Sequence, residues 1–245
     1  FHMEAGNRCF DQNVPEETNR KISDHISDIN LAYTENSRRY LLSEGFRKDH
    51  IFVTGSPIYE VLKKNKSKID SSKILKKLNI TKNKYFVVSS HREENIDIDK
   101  NFISLMNSIN KVAQDYNLPI IFSTHPRTFN KIENMSYKFH ANVKLINPLG
   151  FFDYIFLQKN SLCVLSDSGT ISEESAMMNF KAISIRTSTE RPEAIDLGSI
   201  ILGGINERDI LNSINTCLKT DFKDSYNNLS EYKIINVSEK VIRII

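Results

Sequence analysis

The residues best suited to chemistry lie between Leu162 and Ala194, in LCVLSDSGTISEESAMMNFKAISIRTSTERPEA. Asp167-Ser168-Gly169-Thr170 follows a short apolar run and precedes a helical one. Ser168 and Thr170 bring hydroxyl donors, and Gly169 lets an anion approach the backbone. Glu174 lies one turn into the helix, where a carboxylate can hold the hydroxyls of a ribose. Arg191, on the loop beyond the next strand, suits a diphosphate. The combination describes a nucleoside-diphosphate pocket. The same letters also suit a plain helix cap, with Glu173 and Glu174 on a solvated face.

These residues need a strand, a tight loop, a helix and a second strand to hold them. Residues 162–165 read as a buried strand and 182–185 as the next. Between them Ile171, Ser175 and Met178 line one helical face. A helix opening directly off a strand presents unpaired N–H groups and a positive dipole end at the carboxyl edge of a parallel sheet. The pattern extends upstream. A strand at 85–89 ends in Ser90-His91-Arg92-Glu93-Glu94-Asn95, and a helix over 100–116 carries Phe102, Leu105, Met106, Ile109 and Val112 at core spacing. The strand at 120–122 ends in His125-Pro126-Arg127. Another strand follows at 143–146, then Pro148 and Gly150 lead into a helix reaching Lys159. Strands that repeatedly end in polar residues imply one shared crevice, with His91, Arg92, His125, Arg127, Ser168, Thr170 and Arg191 near it.

Residues 1–56 read as strand tail, loop, helix, strand, helix, strand. Pro15 opens a helix over 16–26, in which Glu16 and Arg20 have the spacing of an ordinary intrahelical ion pair. Strands are expected at 29–33 and 51–53, with a helix over 36–44 stopped by Gly45. Three short strands make half of a doubly wound sheet, so the chain reads as the later part of a longer polypeptide. Residues 63–84 are lysine-rich but lack interleaved aromatics and arginines, which favours a solvated helix with an apolar stripe of Ile74, Leu75 and Leu78 over a nucleic-acid surface. From Glu207 the chain reads as helical with a polar interruption, and 237–245 as a last amphipathic segment.

Composition narrows the class. Hydrophobic content of 40% and charged content of 26% in 245 residues are those of an ordinary soluble globular protein, and the βα alternation makes its fold class α/β. A net charge of +3 calls for no nucleic-acid partner. Cys9, Cys163 and Cys217 form no C-x-x-C pair, which argues for reduced thiols in a cytoplasmic setting and against zinc. No apolar run approaches the roughly 18 residues of a membrane span, and no secretory signal is visible.

Phe1-His2-Met3-Glu4-Ala5-Gly6-Asn7-Arg8, followed by Pro15-Glu16-Glu17-Thr18-Asn19-Arg20, resembles the E-A-G-x-R … P-E-E-x-N-R signature of the non-hydrolysing UDP-N-acetylhexosamine 2-epimerases. The match continues through Thr54-Gly55, Ser90 to Asn95, Asp167-Ser168-Gly169 with Glu173-Glu174, and Thr189-Glu190-Arg191-Pro192-Glu193. It covers essentially the whole chain. The resemblance implies a GT-B-like fold of two Rossmann-like domains with parallel sheets. Residues 1–56 would complete an N-terminal domain that is incomplete here, 57–225 would form the C-terminal UDP-binding domain, and 226–245 a helix returning to the first. It also implies a homodimer, a UDP-N-acetylhexosamine substrate, no metal, no nicotinamide or other cofactor, and no membrane or nucleic-acid partner.

The family's reaction removes the C2 proton as UDP leaves C1, and returns a proton on the other face of a 2-acetamidoglycal as UDP adds back. By motif matching, Glu4, Glu16, Arg20 and His91 are the catalytic candidates. Arg92, Tyr154, Ser168, Gly169, Thr170, Glu174 and Arg191 are the UDP-sugar candidates, with Tyr154 set against uracil. The family's N-terminal stretch carries a basic loop and a further acid, so residues 1–245 alone are expected to be inactive. Glu93 stands where many members have a second arginine, and Asn7, Cys9 and Thr170 also depart from common wording. The opening F-H-M-E-A-G-N-R-C-F-D-Q resembles the branch forming UDP-N-acetyl-L-fucosamine for capsule or O-antigen, ahead of plain UDP-GlcNAc/UDP-ManNAc epimerases. A GT-B glycosyltransferase would share the UDP pocket but has no use for the Glu4 and Glu16 pair. A chain that binds UDP without turning it over is the non-catalytic alternative.

Overall fold

The computed structural model describes residues 1–220 and 230–245. The elements, in chain order, are β1 (His2–Ala5), α1 (Pro15–Ile26), β2 (Asn30–Ala32), α2 (Glu35–Ser43), β3 (Ile51–Val53), α3 (Ile58–Lys64), α4 (Lys66–Asp70), α5 (Ile74–Leu78), β4 (Phe86–Ser90), α6 (Glu93–Ile96) and α7 (Asp99–Tyr116). There follow β5 (Ile120–Thr124), α8 (Pro126–Asn134), β6 (Val143–Ile146), α9 (Phe151–Lys159), β7 (Cys163–Ser166), α10 (Ile171–Met178), β8 (Ala182–Ser184), α11 (Pro192–Asp196), β9 (Ile201–Leu202), α12 (Glu207–Lys219) and a last helix, α13 (Val237–Ile244).

The strands form two all-parallel sheets. The small lobe carries β1-β2-β3, and the large lobe carries six strands in the order β6-β5-β4-β7-β8-β9. In the large sheet the chain builds outward from β4 through β5 to β6, then returns to β4 and builds outward through β7 in the other direction. The reversal between β4 and β7 is a topological switch point, where the loops above the two strands diverge and leave a crevice.

Alternation along β4 explains why the sheet is covered on both faces. Phe86 and Val88 point to one core with Phe102, Leu105, Ile109 and Ile214 of α7 and α12. Tyr85 and Val87 point to the other, with Ile155 of α9 and Ile171 of α10. Left-handed Asn117 (φ 47°) ends α7, and left-handed Asn179 (φ 59°) ends α10, a conformation asparagine tolerates. In the small lobe Ala5, Ala32, Leu41 and Ile51 make a modest core.

Two chain segments join the lobes. Thr54 to Pro57 leads from β3 into α3, and the chain returns from Tyr232, buried against the large lobe, to α13, whose Val237 and Val241 pack on Leu31 of β2. The two crossings touch: a Cβ added at Gly55, whose φ is +91°, would lie 2.8 Å from Ile234 Cδ1.

Several expectations change. The lysine-rich stretch is not one helix but α3, α4 and α5, broken at Asn65 and around Ser71, and Ile69 is buried along with the expected Ile74. The letters at His125 give only a charged cluster ending a strand, and those at Arg191 only a charged loop. Both open helices, α8 and α11, with proline in the first turn, where its missing N–H costs nothing. Strand β9 is two residues long and left no periodic trace. The polar interruption after α12 and the boundary expected between 225 and 226 lie outside the described residues. No helix among the described residues is long and apolar enough to cross a membrane.

Candidate functional site

At the switch point a single carboxylate organises the loop. Asp167, fully buried after β7, accepts from Ser90 Oγ (2.7 Å), from the backbone N–H groups of His91 (3.0 Å) and Arg92 (3.1 Å), and from Asn95 Nδ2 (3.1 Å). His91 Nδ1 lies 3.3 Å from the same carboxylate. Four donors from β4, α6 and the loop between them thus converge on one acid, which fixes the backbone of both His91 and Arg92 relative to the D-S-G loop. Arg92 is further held by a bond from Nε to the Asp167 carbonyl (3.1 Å).

The α10 entry is compact. The Ser168 and Thr170 hydroxyls lie 3.1 Å apart, Thr170 donates to Glu174 (2.8 Å), and Gln158 Nε2 donates to the other Glu174 oxygen (3.0 Å). Burial pushes the Glu174 carboxyl up from its usual range, against the pull of these two donors. Gly169 is required by close approach, because a Cβ there would overlap the Glu190 carboxylate.

Glu190 is the centre of an arginine cluster. It pairs with Arg186 (2.8 Å) and Arg92 (3.3 Å) of its own lobe and with Arg20 (3.8 Å) from α1 of the small lobe. Burial opposes its ionisation, yet Arg186, Arg191, Arg92 and Arg20 together outweigh burial and hold its pKa down at about 2. The guanidinium groups are not exhausted by it. Arg92 Nη1, Arg186 Nε and Nη2, and Arg191 Nε are buried with no hydrogen-bond partner among the described residues. Buried donors left over in this way suit an anion rich in acceptor oxygens.

The small lobe faces the cluster with acids. Strand β1 bulges at Glu4, whose φ of 64° is left-handed, and the register slips between Met3 and Ala5. Such a bulge re-aims a side chain at a local cost of about 1–3 kcal/mol that the surroundings must bear. The loop that follows bears it. Arg8, buried, pairs with Asp24 and Glu44 (both 2.7 Å), and Asp24 also takes His2 and the Gly6 N–H. Glu17 accepts from the N–H groups of Cys9 and Phe10, so it is structural, while its neighbour Glu16 faces the cleft and lies 3.7 Å from Arg92.

Arg191 closes the site. Its Nη2 lies 2.7 Å from Glu4 Oε1 and 2.7 Å from Glu173 Oε1, and Ser56 donates a short bond to Glu173. Burial works against the Arg191 charge, but Glu173 and Glu4 outweigh it and raise its pKa.

The structure brings Glu4, Glu16, Arg20, Arg92, Gly169, Thr170 and Arg191 around one cavity of about 390 Å3 between the lobes, with Glu190 in its wall. His91 and Tyr154 line a second of about 240 Å3, with His125 and Leu149, above β4 and β5. Ser168 and Glu174 line neither; Ser168 reaches the first only through Thr170. Two readings from spacing fail. Glu16 and Arg20 are not paired with each other but reach across to Arg92 and Glu190. Arg127 lines neither cavity and pairs instead with Glu93 (2.9 Å) and Asp97. Asp167, Arg186, Glu190 and Asn7 were not singled out as site residues, although all but Arg186 stand inside the quoted motifs.

Two parallel α/β lobes closing on a cleft, with the larger lobe's switch point as its floor, define the GT-B-like class of fold. Within that class the chain belongs to the UDP-N-acetylglucosamine 2-epimerase family, whose model matches residues 1–245. A UDP-N-acetylglucosamine 2-epimerase of Methanococcus maripaludis is 37% identical over 227 residues, covering 90% of this chain and 62% of that protein. The solved structure of the Rickettsia bellii UDP-N-acetylglucosamine 2-epimerase is 40% identical with a TM-score of 0.85, covering 100% of this chain and 66% of that one. The Methanocaldococcus jannaschii enzyme, solved in complex with UDP-GlcNAc and UDP, is 32% identical with a TM-score of 0.88, covering 99% and 67%. The chain therefore spans a little under two thirds of the first of these proteins.

Proposed function

We propose that this protein epimerises C2 of a UDP-N-acetylhexosamine by eliminating and re-adding UDP. The observation that carries the reading is the cavity between the lobes, where Glu4 and Glu16 from one side face Arg92 and Arg191 from the other. A proton leaves C2 to one carboxylate, the C2–H electron pair forms the C1–C2 double bond, and the C1–O pair departs with UDP. The buried, unspent guanidinium donors stabilise the diphosphate as its charge grows. In the reverse step the UDP oxygen attacks C1 while C2 takes a proton on the opposite face. The second cavity, with Tyr154 and Leu149, is the place for uracil, and Asp167 holds the backbone of His91, which lines that cavity.

The names of the relatives favour UDP-GlcNAc as substrate, with UDP-ManNAc as product. A second reading, conversion of UDP-2-acetamido-2,6-dideoxy-L-talose to UDP-N-acetyl-L-fucosamine, keeps the support of Asn7 in the opening motif. Glu93, a further departure, is exposed and bound to Arg127, so it favours neither substrate. The test is incubation in D2O with each UDP-sugar, following C2 by proton NMR. Loss of the C2 proton signal together with a new epimer establishes the reaction, and the faster substrate decides between the two. UDP release that needs an acceptor sugar, without exchange at C2, assigns the protein to the transferases.

A further inference from the structure

The Glu4 carboxylate is held by one oxygen. Arg191 Nη2 (2.7 Å) and Asn7 Nδ2 (3.1 Å) both donate to Oε1, and Oε2 has no protein partner among the described residues. Asn7 is 4% exposed, and its own orientation is fixed from behind. A carboxylate only accepts, so the amide must turn its N–H toward Glu4 and its oxygen away. That oxygen accepts from Ser37 Oγ at 3.0 Å. Ser37 in turn belongs to the first turn of α2, where its N–H donates to the capping Thr34 Oγ1 at 3.2 Å, and both residues are buried. A continuous line of hydrogen bonds thus runs from the capped end of a helix to the carboxylate at the β1 bulge.

We infer that Asn7 is a positioning residue for Glu4, and that by pinning Oε1 together with Arg191 it leaves Oε2 as the oxygen that exchanges the C2 proton. The inference rests on the C2-epimerase reading. Its physical content is geometric. Proton transfer from carbon needs the acceptor oxygen aimed at the C–H bond, and small misplacements of a reacting group cost large factors in rate. Glu4 stands on a backbone conformation that L-residues rarely hold, so its side chain is directed only if something beyond the backbone holds it. Arg191 alone allows the carboxylate to swing about a single contact; the Asn7 bond removes that freedom. Leucine at this position would fill the space without donating.

The test compares wild-type protein with Asn7→Leu and Ser37→Ala on UDP-GlcNAc and its C2-deuterated form. Asn7→Leu is expected to lower kcat at least about tenfold while KM and the affinity for UDP stay within about twofold. The deuterium isotope effect on kcat should rise, because abstraction of the C2 proton becomes rate-limiting. Ser37→Ala, which leaves Asn7 present but unanchored, should fall between the two. A variant that is merely misfolded in part loses kcat in proportion to its UDP-binding sites, with an unchanged isotope effect. That outcome, or an unchanged kcat, overturns the assignment. If the wild type exchanges no deuterium at C2 of any UDP-N-acetylhexosamine, the epimerase reading itself fails and takes this inference with it.

Discussion

Arg191 of the large lobe donates to Glu4 of the small lobe at 2.7 Å, and the same nitrogen serves Glu173 at 2.7 Å. One guanidinium thereby holds an acid from each side of the cleft. Of the two acids only Glu173 is fully buried, and burial already raises its pKa despite Arg191.

Replacing Arg191 with methionine leaves Glu173 without its counter-ion. Breaking a buried pair costs about 3–5 kcal/mol, part of it relieved when the acid takes up a proton. At about 2–4 °C per kcal/mol for a chain of this size, Arg191→Met should melt roughly 5–10 °C lower. A raised carboxyl pKa means that the fold favours the protonated acid, so the cost sets in as pH rises above the ordinary value of 4.5. Thermal melts should show a larger deficit at pH 8 than at pH 5; an equal deficit would mean that Glu173 is not its source.

Glu190 carries the opposite sign. Its folded pKa of about 2 lies below the ordinary 4.5, so its contribution is fully present above 4.5 and is lost as pH falls toward 2. Glu190→Gln should be less stable than wild type at pH 7 by an amount on the order of 3 kcal/mol. The gap should close as pH is lowered from 4.5 toward 2, as followed by urea unfolding at each pH.

Gly169→Ala tests whether the D-S-G glycine serves the site or only a turn. The added methyl must displace the Glu190 carboxylate from among its arginines. Overpacking of this kind costs about 1–3 kcal/mol, and kcat/KM should drop about tenfold or more as the arginines shift. Full activity would show that the cluster can move without consequence.

Asp167→Asn keeps the shape of the side chain but turns an N–H group toward donors. At least one of the Ser90, His91, Arg92 and Asn95 bonds must then be lost. The penalty for an unsatisfied buried donor is about 1–3 kcal/mol. The β4–α6 loop should lose amide protection in hydrogen exchange, with β5 and β6 unaffected.

Much of this was legible in the letters. Strands β4, β5 and β7 are contiguous apolar runs because parallel strands are buried on both faces, and the switch-point loops betray themselves by turning abruptly polar. Glu4, Glu16 and Arg191, which the fold brings around one cavity, stand in motifs legible in the sequence. The pairing of the charges was not legible, because Arg20 and Glu190 are far apart in sequence and meet only across the cleft. The i,i+4 rule gave Glu16 to Arg20, and the tertiary field of Arg92 and Glu190 overrode it. Helices α8 and α11 were missed although Pro126 and Pro192 mark their first turns, because the charged residues before them suggested loops. Asn7 passed as a departure in wording, and its role needed Ser37, which lies on another element.

The contact between Gly55 and Ile234 places both connections between the lobes at one spot. The lobes are therefore joined by two adjacent connections rather than by two separate ones. The ion pair between Glu4 and Arg191 stands close to that junction, because Arg191 also holds Glu173, which accepts from Ser56 beside Gly55. A side chain in place of Gly55 would have to displace Ile234, and so would press on the junction that carries this pair.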